Sequence, residues 1–315
     1  MMLARVADSL YWMGRYVERA EHLCRLSDVM LTATLDRTEA ASQVARIAMG
    51  SVGDWDESRA ADPYEAAVGL VLDRDDPASV FTSLARAREN ARQVRDQITT
   101  ETWERLNVLF LRMTSPDAAE SFGDGSSVFL HDTIADLHMF KGAADATMAH
   151  GEGWRFLLIG VYLERAQLIA RLLEVCFGDP KRRAVTDHFA LTSLLRMACA
   201  LEPYLRVYTA DLQPRYILEF LLFDDDFPRS LRFCTAQMET HLRGVSRHFE
   251  EDAGQVSPER LAGRLRARLQ YADMDELAST GAHALLTTVA GECAKIHEAI
   301  YNTFVAYPLE MRLPA

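Results

Sequence analysis

The sequence twice places a glutamate directly before an arginine in the middle of an apolar helical segment. Glu18-Arg19 lies in GRYVERAEHLCRLSDV (residues 14–29), and Glu164-Arg165 lies in GVYLERAQLIARLLEV (residues 160–175). Neighbouring residues on a helix point about 100° apart, so neither glutamate can pair with the arginine beside it. Each of these charges needs a partner on another helix, and such a buried pair can carry acid-base chemistry, bind a ligand or simply fix the packing.

The two segments are copies of one another. Their spacing is 146 residues, and eight of sixteen aligned positions are identical. A repeat of this length predicts two related helical halves, about 1–150 and about 151–315, packed around a pseudo-twofold axis within a single domain. At such an axis the charges can exchange partners, so we expect Glu18 to pair with Arg165 and Glu164 to pair with Arg19. In the purely structural interpretation, these pairs only set the register of the helices.

The polar surroundings of the two glutamates differ. On a helical wheel Glu18 belongs to a stripe that also contains Tyr11, Arg15, His22 and Arg25. The matching stripe around Glu164 is mostly apolar, so Glu164 and Arg165 are interpreted as a structural pair. We therefore place any chemistry on the first copy, and we expect a solvent-connected pocket to touch Arg15, Glu18 or His22 before it touches Glu164. The candidate catalytic residues are Glu18, Arg15, His22 and Arg19, and Tyr11 and Arg25 are candidate binding residues.

A carboxylate among cations is a poor proton donor at neutral pH. Positive neighbours lower the pKa of a carboxyl group, and a lowered pKa suits charge stabilisation better than acid catalysis. This argument weakens the interpretation of Glu18 as an acid-base catalyst without removing it.

Further arginines form a second group of candidate binding residues. Arg88, Arg92 and Arg95 are spaced four and three residues apart on one predicted helix. They can form either a solvated face, with Arg92 paired to Asp96, or a grip for a carboxylate. Arg229 follows an acidic turn in LEFLLFDDDFPRSLRF (218–233) and is a candidate for binding or partner docking.

Metal and nucleotide sites are not predicted. His131 and His138 lie near two aspartates, but no histidine has a glutamate three residues before it, as a di-iron helical bundle requires. No Walker A or GxGxxG motif is present, and the GDGSS segment lacks the flanking strand of a phosphate loop. The sequence predicts no cofactor and no metal.

The composition excludes several classes of partner. The chain has 315 residues, a formal net charge of -12 and a pI of about 5.3. An acidic chain without a basic block is a poor ligand for nucleic acid or for an anionic membrane surface. The five cysteines form no CxxC motif and lie in apolar contexts, and the N-terminus does not resemble a signal peptide. These features predict a cytoplasmic protein.

Apolar residues recur every three or four positions throughout, which predicts an all-α protein, a large helical bundle. We expect helices over about 3–35, 128–150, 154–177 and 281–305, and one opened by Ser257-Pro258. A single long helix is expected to begin near Pro77 and continue through the segment that ends at Met113. The segment 114–127 is predicted to be a loop, 224–226 a turn and 249–255 a linker.

Four segments resemble the bacterial alpha-E family, which is named for its helical content and its Glu-Arg motif. They are RVADSLYWMGRYVERAEHLCRL (5–26), RENARQVRDQITTETWERLN (88–107), YLERAQLIARLLEV (162–175) and EFLLFDDDFPRSLRFC (219–234). The resemblance covers nearly the whole chain. It assigns motif positions to Glu18, Arg19, Glu164, Arg165, Arg95, Trp103, Asn107 and Arg229.

The resemblance also implies partners. Members are typically encoded beside a circularly permuted ATP-grasp ligase, and often beside a transglutaminase-like peptidase. It therefore implies an accessory or scaffold subunit that helps such a ligase to make or modify a peptide or amide, with a peptide or amino-acid-like substrate; a homo-oligomer stays open. The alternatives are a stand-alone enzyme that uses the cluster around Glu18 and, with least support, a helical metal-binding bundle.

Overall fold

The computed structural model describes residues 2–35, 39–53, 62–178, 184–209, 211–246, 256–275, 277 and 281–306. Within these ranges the protein is all-helical and contains no strand, as the apolar periodicity predicts. The helices are α1 (Ala4–Thr34), α2 (Glu39–Val52), α3 (Pro63–Leu72), α4 (Val80–Gln93), α5 (Thr100–Met113), α6 (Ala118–Thr147), α7 (Glu152–Leu173), α8 (His188–Met197), α9 (Leu201–Tyr208), α10 (Pro214–Phe223), α11 (Leu231–Ser246), α12 (Pro258–Tyr271) and α13 (Ala282–Ile300). Short π-helical turns, Glu174–Gly178 and Tyr301–Val305, extend α7 and α13.

Local sequence signals explain where several helices begin. The side chains of Asp62, Ser79, Thr99 and Asp187 accept hydrogen bonds from the first backbone N–H groups of α3, α4, α5 and α8. Such side chains satisfy donors that have no partner inside the helix. Proline occupies the first turn of α3, α10 and α12, where its missing N–H costs nothing.

Helix α1 is the centre of the bundle. It contacts α2, α3, α4, α6, α7 and α8, and within it only Arg5 and Thr32, near its two ends, are exposed. Apolar side chains on two opposite faces explain this position, because a helix that is apolar on two sides must be covered on both. The charged residues of the first Glu-Arg segment are therefore carried into the core.

Helices α1 and α7 approach each other closely at two glycines. A Cβ atom added to Gly14 would lie 2.1 Å from the carbonyl oxygen of Leu157, and one added to Gly160 would lie 2.0 Å from that of Tyr11. Gly14 and Gly160 are equivalent positions of the repeat. Gly14 contacts Leu157, three residues before Gly160, and Gly160 contacts Tyr11, three residues before Gly14. The two helices thus cross by reciprocal contacts, which bring both Glu-Arg pairs to the same interface.

Two predicted elements differ from the structure. The long helix expected from Pro77 to Met113 is two helices, because α4 ends at Gln93 and Thr99 caps a new helix. The loop expected over 114–127 is largely helical, since α6 begins at Ala118 and departs from helical geometry only at Gly125. Burial of Ala118 and Phe122 against the core overrides the turn composition of this segment.

The other predicted elements agree more closely. The helix expected over 3–35 is α1, the one expected over 154–177 is α7 with its π-helical turn, and Pro258 opens α12. Residues 224–226 form the expected turn, and the linker predicted at 249–255 lies outside the described residues. Among the described helices, none is both long enough and apolar enough to cross a membrane.

Candidate functional site

Glu18 is fully buried at the crossing of α1 and α7, and three cations surround its carboxylate. Arg165 donates from Nε to Oε1 at 2.7 Å and from Nη2 to Oε2 at 2.8 Å. Lys141 Nζ donates to Oε2 at 2.5 Å, and Arg229 Nη1 donates to Oε1 at 3.0 Å. These partners come from α7, from α6 and from the turn before α11, so the Glu18 carboxylate joins three distant parts of the chain.

Glu21 shares two of these cations. Its carboxylate accepts hydrogen bonds from Lys141 and Arg229, each at 2.5 Å, and from Arg25 at 2.8 Å. The ring of His138 lies 3.2 Å from the same carboxylate. The sequence reasoning missed both Glu21 and Lys141. A usable signal existed for Glu21, because the equivalent position of the second copy, Gln167, is also polar.

Glu164 is held by arginines of the first copy. Arg15 Nε donates to its Oε2 at 2.6 Å, and Arg19 Nε donates to its Oε1 at 2.7 Å. Arg15 also donates to Gln167 at 2.8 Å and to the Tyr11 hydroxyl at 3.3 Å. The expected exchange of partners between the two copies, Glu18 with Arg165 and Glu164 with Arg19, is therefore present in the structure.

Buried charges shift the pKa values of these groups strongly. Burial opposes ionisation of Glu18, but Arg165, Lys141 and Arg229 outweigh it and hold the pKa of Glu18 well below its usual range. Burial likewise opposes ionisation of Glu164, and Arg15 and Arg19 lower its pKa despite this. Both carboxyl groups are ionised at neutral pH, so neither can donate a proton.

Arg15, His22 and Arg25 share a helical stripe with Glu18, but none of them binds its carboxylate. Arg15 binds Glu164 and Arg25 binds Glu21, while neither ring nitrogen of the buried His22 has a hydrogen-bond partner among the described residues. Burial and the charge of Arg229 lower the pKa of His22 to about 4, so its imidazole is neutral. Arg15 finds its carboxylate on another helix, α7, whereas Arg25 pairs with Glu21 one turn away on α1 itself.

The network contains more cations than carboxylates. Three buried carboxylates, Glu18, Glu21 and Glu164, stand against six basic partners. These partners are Arg15, Arg19, Arg25, Lys141, Arg165 and Arg229. The cluster therefore carries a formal excess of three positive charges inside a chain whose net charge is -12.

A cavity of about 340 Å³ opens beside this network, between α6, α7 and α11. Lys141 and Arg165 line it, but Arg15, Glu18 and His22 do not. The cavity does not touch Glu164 either, so its contact with the repeat is through the second copy, at Arg165, and not through the three residues expected from the first copy. Neighbouring helices cover α1 on its sides, whereas α7 leaves Leu157, Val161 and Tyr162 facing this cavity.

The arginine stripe on α4 does not join the Glu18 network. Arg88 donates to Asn107 at 2.8 Å, and both Arg88 and Arg95 lie over the ring of Trp103. Arg92 pairs with Glu89 on the exposed surface rather than with Asp96. Of the predicted binding arginines outside α1, only Arg229 reaches the buried carboxylates.

The histidines considered as metal ligands have other partners. His131 lies 3.0 Å from Asp28, and His138 contacts Glu21. In the part of the chain that the structure describes, no group of three or more histidine, cysteine, aspartate or glutamate side chains is arranged to hold a metal ion.

The fold and the site define an all-helical protein built around a buried Glu-Arg network. The family described as "a predicted alpha-helical domain with a conserved ER motif" matches residues 2–305. The chain therefore belongs to the alpha-E family.

Relatives of the chain occur in mycobacteria. It is similar to uncharacterized proteins of Mycobacterium bovis (strain AF2122/97) and of Mycobacterium tuberculosis (strains CDC 1551 and H37Rv), with 28% identity over 320 residues in each. The matched region is 94% of this chain but only 35% of each relative, so the chain spans about a third of their length. No solved structure matches the chain.

Proposed function

We propose that the protein is an accessory or scaffold subunit that works with an ATP-grasp ligase in making or modifying a peptide or amide. The observation that carries this proposal is the complete engagement of Glu18 in the buried network. A carboxylate bound by three cations and closed off from solvent holds helices in place, and it has no free lone pair directed at a substrate. The network therefore favours a binding and organising role.

The stand-alone enzyme is the weaker alternative. An acid-base catalyst needs a group whose pKa lies near the working pH and whose atoms reach a substrate. Glu18 has a pKa far below neutrality, and His22 is buried with a pKa of about 4. Neither residue lines the cavity beside the network. The metal-binding alternative has less support again, since His131 and His138 each pair with a carboxylate.

The length of the mycobacterial relatives supports a partner protein. The region similar to this chain is about a third of each relative. The remaining two thirds, roughly, leave room for at least one further domain of ordinary size. Domains that are covalently joined in one protein can occur as separate chains in another organism and bind each other there. We place the ligase, and a transglutaminase-like protein, in that role.

The reciprocal crossing of α1 and α7 supports the two-half architecture. The glycine contacts and the Glu-Arg exchange both relate equivalent positions of the repeat. We infer that the two halves, about 1–150 and 151–315, derive from one ancestral unit whose two copies pack around this crossing. The five free cysteines, four of them buried, are compatible with a reducing cytoplasm.

The proposal is tested by purifying the tagged protein from its own bacterium and identifying co-purifying proteins by mass spectrometry. An ATP-grasp ligase should be among them, and the purified ligase should release ADP faster when the chain is added. The assay is repeated with Glu18→Gln, which should stimulate the ligase less than the wild type does. Asp275→Asn is its matched control, because this carboxylate is exposed and pairs with Arg215 at 3.1 Å on the surface. The proposal fails if the purified ligase neither binds the chain nor changes its rate of ADP release.

A further inference from the structure

The cavity beside the Glu-Arg network has a charged end and an apolar wall. Lys141 and Arg165 both reach Glu18, so their side chains meet at one end of the cavity. Asp145 lies four residues after Lys141 on α6, about 6 Å further along the helix. The cavity therefore presents positive charge at one end and a carboxylate about one helical turn away.

The charge imbalance favours binding of an anion at the positive end of the cavity. Two of the three ammonium donors of Lys141 are used by Glu18 and Glu21. The network behind the cavity has six cations for three carboxylates, and burial makes an excess of one sign unfavourable. An anion bound next to Lys141 and Arg165 reduces that excess, and a carboxylate suits both an ammonium and a guanidinium.

Aromatic and aliphatic side chains form the rest of the cavity. The ring of Trp154 meets His241 edge to face at 5.2 Å, and the ring of Tyr162 lies parallel to His241 at 5.9 Å. Leu157 and Leu158 add aliphatic surface. Flat or branched apolar groups bind well against such walls.

His241 gives an independent sign of a ligand. Its side chain is 5% exposed, it lines the cavity, and its Nδ1 atom is buried without a hydrogen-bond partner among the described residues. Burial, with the charges of Arg155 and His150, lowers its pKa to about 4, so the ring is neutral and has one donor and one acceptor nitrogen. Buried polar atoms without a partner are uncommon in native proteins and are usually satisfied by water or by a bound molecule.

We propose that this cavity binds a free α-amino acid with an aromatic or branched apolar side chain. Its carboxylate binds at Lys141 and Arg165, its ammonium group faces Asp145, and its side chain packs against Trp154 and Tyr162. A volume of about 340 Å³ is at the small end of ligand pockets, which suits a single amino acid better than a nucleotide. The inference rests on the proposed function, because it supplies the class of substrate that the subunit holds.

The test is calorimetric titration of the purified protein with L-phenylalanine, L-tyrosine, L-tryptophan and L-leucine. At least one should bind with a dissociation constant below about 1 mM and raise the melting temperature. The amide of that amino acid, which lacks the carboxylate, should bind at least about tenfold more weakly. Failure of all four to bind at about 10 mM overturns the inference, and so does equal binding of the acid and its amide.

Two variants locate the ligand in the cavity. Asp145→Asn changes an exposed residue and should weaken binding of the amino acid about tenfold. The analogue 3-phenylpropionate has no ammonium group, so it should bind the variant and the wild type equally. Trp154→Ala should weaken both ligands. Tyr271→Ala is the aromatic control, because Tyr271 is 85% exposed and does not line the cavity. Unchanged affinity in both cavity variants refutes the assignment.

These measurements need no ligase, so this inference and the proposed function can fail separately. Binding of the amino acid without a co-purifying ligase leaves the cavity assignment in place and refutes the accessory role. A ligase that the chain stimulates, together with a cavity that binds none of the four amino acids, supports the accessory role and refutes the assignment of this ligand.

Discussion

Replacement of Glu18 by glutamine tests the buried network most directly. The substitution keeps the size of the side chain and removes its charge. Glu18 accepts four hydrogen bonds from Arg165, Lys141 and Arg229, and none of its surface is exposed. In the variant, one amide oxygen remains to accept, while the amide NH₂ must face groups that are themselves donors.

The expected loss of stability is large. Removing one member of a buried ion pair costs about 3–5 kcal/mol, because the remaining charges stay buried without compensation. Domains are stable by about 5–15 kcal/mol, so Glu18→Gln should remain folded but with a much lower midpoint of urea denaturation. A second substitution, Arg165→Gln, should cost less in the Glu18→Gln background than in the wild type, because the two side chains are bonded directly.

Urea denaturation followed by far-ultraviolet circular dichroism and tryptophan fluorescence measures this loss. Glu89→Gln is the matched control, since Glu89 pairs with Arg92 on the exposed surface and its removal should leave the midpoint unchanged. A loss below about 1 kcal/mol in Glu18→Gln would place this carboxylate in the range of surface pairs and would refute the role assigned to the network.

Three further predictions concern the crossing, the buried histidine and the thiols. Gly160→Ala should destabilise the protein by about 1–3 kcal/mol or more in urea denaturation, because the new methyl group collides with the Tyr11 carbonyl, whereas Gly142→Ala, with open space around it, should be neutral or stabilising. The pKa of His22 is about 6.5 in the unfolded chain and about 4 in the folded protein, so the free energy of unfolding should fall by up to about 3 kcal/mol as the pH is lowered through this window. The fall should be smaller in His22→Gln. Equal slopes of stability against pH in the two proteins would contradict the assigned pKa. Thiol titration of the folded protein should show fast reaction at Cys199 alone. Burial raises the pKa of the other four thiols, to about 12 for Cys234 and Cys293 and well above the usual range for Cys24 and Cys176. Fast labelling of two or more thiols would contradict this burial.

The sequence predicts the parts of this fold that depend on periodicity and on the repeat. Apolar spacing predicts α1 over nearly its full length, and the repeat predicts the exchange of Glu18 and Glu164 partners between α1 and α7. The break after Gln93 was missed because no proline or glycine marks it. The capping side chain of Thr99 was the available signal.

Most partners of the site could not be derived from spacing on one helix. Lys141 and Arg229 are 123 and 211 residues away from Glu18 in the sequence, and only the tertiary fold brings them to its carboxylate. The wheel also assumed that Arg15 and Arg25 would turn toward Glu18. In the structure Arg15 instead binds the carboxylate of Glu164, which has no cation three or four residues away on its own helix.

The two copies of the Glu-Arg motif have different surroundings, and the cavity lies beside the second copy only, at Arg165. Glu164 is paired with Arg15 and Arg19 of α1, and it is enclosed by the crossing. Arg165 points the other way, toward α6 and α11, where Lys141 accompanies it at the end of the cavity. The crossing of α1 and α7 thus fixes the register of the two helices, and α6 and α11 enclose a cavity on the Arg165 side of this crossing. If this is the basis of function, substitutions around Arg165 should alter ligand binding, while substitutions at Arg19 should alter stability alone.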